Sequence, residues 1–190
     1  MFKRIIKGDF GYIKKKRTRV IVWTIIMFAL AIGIFLTGYI TTGTKKNLLT
    51  VVAILGCLPA CKSAISMIMF IKATPCSESL SRQIEEHVKG LISMYDMYFT
   101  SYDNNFPILH MIVQDRVVIG YYENPKFNEE KCISHLTTML KTAGHNGVTI
   151  SLTKDLDKYL NMLDNMSLKA DTEGDTADDE IRISLYEITL

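Results

Sequence analysis

The side chains able to do chemistry are few and scattered. His87, His110, His135 and His145 stand apart in the sequence, and only His135 shares a helix face with a thiol, that of Cys132 three residues earlier. Two groups fall short of the four that a structural zinc ion takes. Asp115 and Glu123 bracket an apolar run, and with His110 they are the residues that could hold a divalent ion for hydrolysis if the fold brought them together. The patterns G-x-x-x-x-G-K-[ST], G-x-G-x-x-G, G-x-S-x-G and H-E-x-x-H do not occur, so nucleotide, esterase-type and zinc-protease chemistry lose their usual support. No catalytic set, metal or cofactor is expected from the spacing, and His110, between apolar neighbours, reads as a packed core histidine. The four cysteines, Cys57, Cys61, Cys76 and Cys132, form no C-x-x-C pair, and a disulfide framework is not expected.

The elements that must position these groups fall into two regions of opposite charge. Of 190 residues, 48% are hydrophobic and 22% charged, which excludes a wholly disordered chain. The net charge of +2 hides a division. Residues 1–72 carry twelve Lys and Arg against the single Asp9, and residues 73–190 carry ten against nineteen Asp and Glu. An acidic C-terminal region argues against a nucleic-acid partner, and none is expected.

Between Arg19 and Lys45 lie 25 residues without a charge, more than the roughly 20 that cross a bilayer. A second apolar segment, Asn47 to Ile71, is interrupted by Pro59 and Lys62. The sequence therefore predicts a transmembrane hairpin over 20–71, with helices at about 20–40 and 47–70. Eight Lys and Arg precede the first helix, against Lys45 and Lys46 in the connection, so both termini are expected in the cytoplasm and the chain is expected to be a multi-pass integral membrane protein. Residues 1–19 read as a basic arm. Phe2, Ile5, Ile6, Phe10 and Ile13 lie opposite Lys3, Arg4 and Lys7 on a helical wheel, as in a helix lying among headgroups, while Lys14, Lys15, Lys16, Arg17 and Arg19 suit anionic lipid. An irregular tail that only sets topology is the other reading, since Gly8 and Gly11 weaken a helix.

Small residues recur every four positions: Ala29, Gly33 and Thr37 in the first helix, Gly56, Ala60 and Ala64 in the second. Such faces let backbones approach closely, and these are expected to meet each other or a second copy. Lys62 is the one ionisable side chain inside a span. It either joins Ser63 and Ser66 in a polar strip against a partner helix, or snorkels to the headgroups.

Residues 72–190 read as a small cytoplasmic α-β-β-α-β-α domain. Leu80, Ile84, Val88, Leu91, Ile92, Tyr95 and Tyr98 predict one long helix; Phe106 to Val113 and Val117 to Tyr122 predict a hairpin buried on both faces. A helix then follows from Ile133 to Ala143, a strand over Val148, Ile150 and Leu152, and a helix through Leu156, Leu160 and Leu163 capped by Thr153. Residues 171–180 read as an acidic loop, and Ile181, Ile183 and Leu185 as a C-terminal edge strand. The fold class expected is thus a membrane-anchored α+β protein.

The order helix, hairpin, helix, strand resembles that of the restriction-endonuclease-like fold, in which an Asp and an acidic-x-Lys pair on a hairpin bind a metal. Here Glu123 is followed by Asn124-Pro125-Lys126, which puts the lysine one residue late, so no role is carried over. The function expected is that of a membrane-anchored adaptor or regulatory subunit, with the bilayer and another membrane protein or a second copy as partners. The rival is a membrane-tethered metal-dependent hydrolase or nuclease using Asp115, Glu123 and His110.

Overall fold

In a computed structural model the chain is described over residues 6–44, 47–169 and 176–190. It divides into two compact units, one built from Ile13–Ala73 and the other from the residues before it together with Thr74–Leu190.

The first unit is two helices, α1 (Tyr12–Thr42) and α2 (Leu48–Lys72), each long and apolar enough to cross a membrane. At 1.5 Å per residue α1 is about 46 Å long, well beyond a hydrocarbon core of about 30 Å. It therefore absorbs the basic run Lys14–Arg19 that the sequence reading assigned to a separate arm. Pro59 lies inside α2 without ending it, as an apolar helix with neighbours allows. Asn47 caps α2 by accepting from the Thr50 N–H.

No amphipathic helix forms over residues 6–11, and residues 1–5 lie outside the described residues. Gly8 and Gly11 have φ of +90° and +77°, which break any helix there, and the Asp9 carboxylate turns the chain by accepting from the Ile6 N–H. This segment packs instead on the α+β unit. The Gly8 carbonyl accepts from the Tyr95 N–H (2.7 Å), the Phe10 ring stands edge-on to Tyr95, and the Lys7 amine donates to the Tyr186 and Thr189 carbonyls (3.2 and 2.7 Å). A side chain at Gly8 would meet the Tyr186 ring at 2.3 Å.

The α+β unit runs α3 (Glu78–His87), β1 (Met94–Thr100), β2 (Asn105–Gln114), β3 (Val117–Tyr121), α4 (Glu129–Thr142), β4 (Thr149–Thr153), α5 (Leu156–Lys169) and α6 (Thr176–Ile188). The four strands form one mixed sheet in the order β1-β2-β3-β4; the first three pair antiparallel, and β4 runs parallel to β3. The hairpin, α4, β4 and α5 lie where the sequence reading put them. Both faces of the sheet are covered, which accounts for the unbroken apolar runs of β2 and β3. One face packs Met94, Phe99, Ile108, Met111 and Val118 against Leu136 and Leu140 of α4 and Ile181 and Leu185 of α6. The other packs Tyr95, Leu109, Ile112 and Ile119 against Leu80 and Ile84 of α3 and Tyr159 and Leu163 of α5.

Four expectations are corrected. The long helix over 80–98 is a ten-residue α3 followed by β1: Val88 leaves helical geometry, Gly90 takes φ +79°, and Tyr95 and Tyr98 belong to a strand. The last strand is the helix α6, in which Ile181 and Leu185 face the core and Ile183 faces outward. Residues 176–180 of the expected acidic loop are its first turns, and 171–175 lie outside the described residues. Finally, α5 is capped by Asp155, whose carboxylate accepts from the Lys158 N–H, while Thr153 accepts from the Asp155 N–H.

β1 has two edges. One pairs with β2; the other is covered by the Gly8 carbonyl and by the chain's last residues, with the Thr189 hydroxyl accepting from the Tyr98 N–H (2.8 Å) and the Leu190 N–H donating to the Tyr98 carbonyl (3.0 Å).

Candidate functional site

The two apolar helices are pinned at three levels. Near their connection, the Asn47 amide donates to the Gly38 carbonyl, the Thr42 hydroxyl and the Thr44 carbonyl (2.8, 2.8 and 2.9 Å). Gly38 has no alternative, because a Cβ there would lie 2.7 Å from that of Leu49. In the middle, the Thr24 and Ser63 hydroxyls share a hydrogen bond of 2.7 Å. At the far end, Arg17 donates to the Phe70 carbonyl (2.8 Å) and the Ala73 carbonyl, setting a cation on the carbonyls that close α2.

Of the small residues, Ala60 is fully buried and Ala64 half-buried, whereas Ala29, Gly33 and Thr37 are exposed. A Cβ at Gly33 or Gly56 would meet no atom of the described residues within 4 Å. The tightest helix contact is thus made by Ala31, Ala53, Ala60 and Gly38, and Ala29, Gly33 and Thr37 form an open strip beside Leu49 of α2. Lys62 is exposed. Ser63 is turned to Thr24, and the Ser66 hydroxyl donates to the Lys62 carbonyl of its own helix, so the three do not form one strip. Lys14, Lys15 and Arg19 are exposed at the start of α1 and Lys16 is half-buried, while Arg17 is taken up by α2.

In the α+β unit the hairpin separates the acidic pair. Asp115 sits in the β2–β3 turn, and Glu123 lies past the other end of β3, where it accepts from the Tyr121 hydroxyl (3.3 Å). His110 pairs with Tyr121 at the Glu123 end of the hairpin and is fully buried, with Nδ1 2.6 Å from the Tyr159 hydroxyl and its ring 4.5 Å from that of Tyr95. Burial alone drives its pKa down to about 3, so it is a neutral ring whose Nε2 finds no partner among the described residues. Three side chains spread over the length of a strand do not converge on one ion. Among the described residues no three of His, Cys, Asp and Glu gather as a metal site.

The remaining chemistry is structural. Cys76 and Cys132 are buried thiols pushed up to about 12, by burial first and then by nearby carboxylates. The Cys76 N–H donates to the buried Asp96 carboxylate (2.7 Å), which holds the chain where β1 takes an unusual φ of +55°. His135 lies half-buried beside Phe106 rather than aimed at a shared ligand with Cys132. His87 bonds Asp164, joining α3 to α5.

Sequence reading missed Asp178. It is 5% exposed, and its two oxygens accept from the Asp115 and Arg116 N–H groups (2.8 and 3.0 Å). Arg182, one turn on, donates to the Val113 carbonyl and pairs with Asp179. The only trace in sequence is an acidic residue three positions before Ile181, a spacing that fits a helix and not the strand expected there. No family model matches the chain, and no curated protein and no solved structure resembles it at a significant level.

Proposed function

We propose that the protein is a membrane-anchored adaptor or regulatory subunit. In this reading α1 and α2 insert as a hairpin with both termini in the cytoplasm, and the α+β unit is the cytoplasmic surface that a partner recognises. The observation that carries it is the apolar surface the two helices leave uncovered: Trp23 is 58% exposed and Leu48 79%, with Leu30, Leu36, Leu58 and Ile68 also open. A protein in water does not keep so continuous an apolar surface, whereas hydrocarbon accepts it. Exposed Lys14, Lys15 and Arg19 at the start of α1 suit anionic headgroups. The eight basic residues up to Arg19, against Lys45 and Lys46 in the connection, support the orientation. The open strip along Ala29, Gly33 and Thr37 suits another membrane protein or a second copy. The hydrolase reading lacks the convergence of Asp115, Glu123 and His110 that it requires.

Labelling tests the orientation. With Cys57 and Cys61 replaced by serine, a Thr42→Cys thiol is expected to react with an impermeant maleimide on intact cells, and a Tyr102→Cys thiol only after lysis. The opposite pattern would reject the topology. The adaptor role is tested by purifying the solubilised full chain. A defined membrane partner or a second copy is expected to accompany it and to be lost in Gly33→Leu, a change that the open space at Gly33 lets the hairpin tolerate. A chain that purifies alone and monomeric rejects the role.

A further inference from the structure

A pocket of about 340 Å³ opens beside the β2–β3 turn, walled by Arg116 of that turn, by the loop joining α4 to β4, and by the first turns of α6. Its volume is at the lower end of the range that takes small molecules. Arg116 and Glu180 both line it, yet among the described residues neither forms an ion pair with the other or with a third group. His145 and Asn146 add polar atoms, His145 being held by a contact of its Nε2 with the Ser184 hydroxyl (2.9 Å). Val148 and Ile181 supply an apolar wall.

The backbone at this place is shaped at some expense. A two-residue hairpin turn with both positions left-handed is ordinarily Asn-Gly or Asp-Gly. Here the second position, at φ +59°, is Arg116. Glycine would sit there without strain, and the buried Asp178 carboxylate is needed to hold both N–H groups of the turn. Strain of this kind, kept where a long cationic side chain enters a pocket, points to a use for that side chain. Across the pocket, Gly144 and Gly147 are also left-handed, with open space where side chains would stand, so the loop leaves its backbone approachable.

We propose that the pocket binds a small zwitterion of the α-amino-acid type, its carboxylate on Arg116 and Asn146, its ammonium on Glu180, and its side chain against Val148 and Ile181. Arg116 and Glu180 both stand exposed to solvent at the pocket rim, and a ligand with one charge engages only one of them. A ligand with both satisfies each. This reading is independent of the adaptor role.

The test uses the full chain in detergent micelles, titrated calorimetrically with each of the common L-amino acids. At least one is expected to bind saturably, and the amine formed by removing its carboxylate and the acid formed by removing its amino group are both expected to bind roughly 10- to 100-fold more weakly. Arg116→Gly is the decisive variant, because glycine suits the turn: its unfolding midpoint is expected to equal or exceed that of the parent while binding is lost. Glu180→Gln is expected to weaken the amino acid and leave the acid unchanged. Absence of binding by every amino acid at millimolar concentration overturns the proposal, as does binding that survives Arg116→Gly. Equal affinity for an amino acid and its deaminated acid reduces the pocket to an anion site and also overturns it.

Discussion

Burial beside Tyr95 and Tyr159 keeps His110 uncharged down to about pH 3, whereas in the unfolded chain the same imidazole takes up a proton near its ordinary value of 6.5. Between those limits the unfolded state binds more protons than the folded one, so stability falls as the pH is lowered through this window. The contribution is fully present above about pH 6.5 and gone near pH 3. Its slope is about 1.4 kcal/mol per pH unit over the middle of the window. In urea unfolding at pH 7, 5 and 4, the parent is expected to lose stability more steeply than His110→Gln by that amount, since glutamine carries no proton to take up. Equal slopes would mean that the imidazole is protonated in the fold. The histidine was legible in sequence as a core residue. Its Tyr159 partner, 49 positions away, was not, because nothing local in either segment refers to the other.

The elements that were legible are those whose apolar spacing fits only one period. α4 announces itself with Leu136 and Leu140 one turn apart, and the β2–β3 hairpin with two apolar runs around three polar residues. β1 was hidden because Tyr95 and Tyr98 continue the three- and four-residue spacing of α3. Gly90, whose φ of +79° marks the break, falls between the apolar positions and leaves that spacing intact. α6 was hidden for the converse reason: Ile181, Ile183 and Leu185 alternate like a strand, while the helical pair Ile181 and Leu185 is contained in the same letters. α6 also secures the hairpin turn from a distance of 63 residues through Asp178. Asp178→Ala leaves two N–H groups of a left-handed turn without their charged acceptor and is expected to lower stability by about 2–3 kcal/mol, read from the denaturant midpoint. A milder loss on adding Arg116→Gly to it would identify the turn as the place where the energy is lost; strictly additive effects would count against that account.

The molecule as a whole is two units of which one is split in sequence, since the α+β unit draws on the residues before Ile13 as well as on Thr74–Leu190. Seen along the chain, the apolar hairpin is therefore a segment inserted into the sequence of the α+β unit. Its two feet are close together, because Arg17 bonds the Phe70 and Ala73 carbonyls directly. Fragments cut at the composition boundary near residue 73, the natural choice from sequence, discard Gly8 and Phe10. They leave the Tyr95 N–H and one edge of β1 open to pairing with another chain. Excising residues 13–73 and joining Tyr12 to Thr74 through a short Gly-Ser bridge keeps that edge covered. The excised form is expected to stay monomeric in size-exclusion chromatography without detergent, and a fragment beginning at Thr74 to associate. If both behave alike, the first dozen residues are dispensable to the fold. The same arrangement sets an order on biosynthesis: Gly8 is made before β1 and can cover its Tyr95 end at once, whereas the Tyr98 end stays unguarded through some ninety further residues of synthesis, until Thr189 and Leu190 arrive to close it.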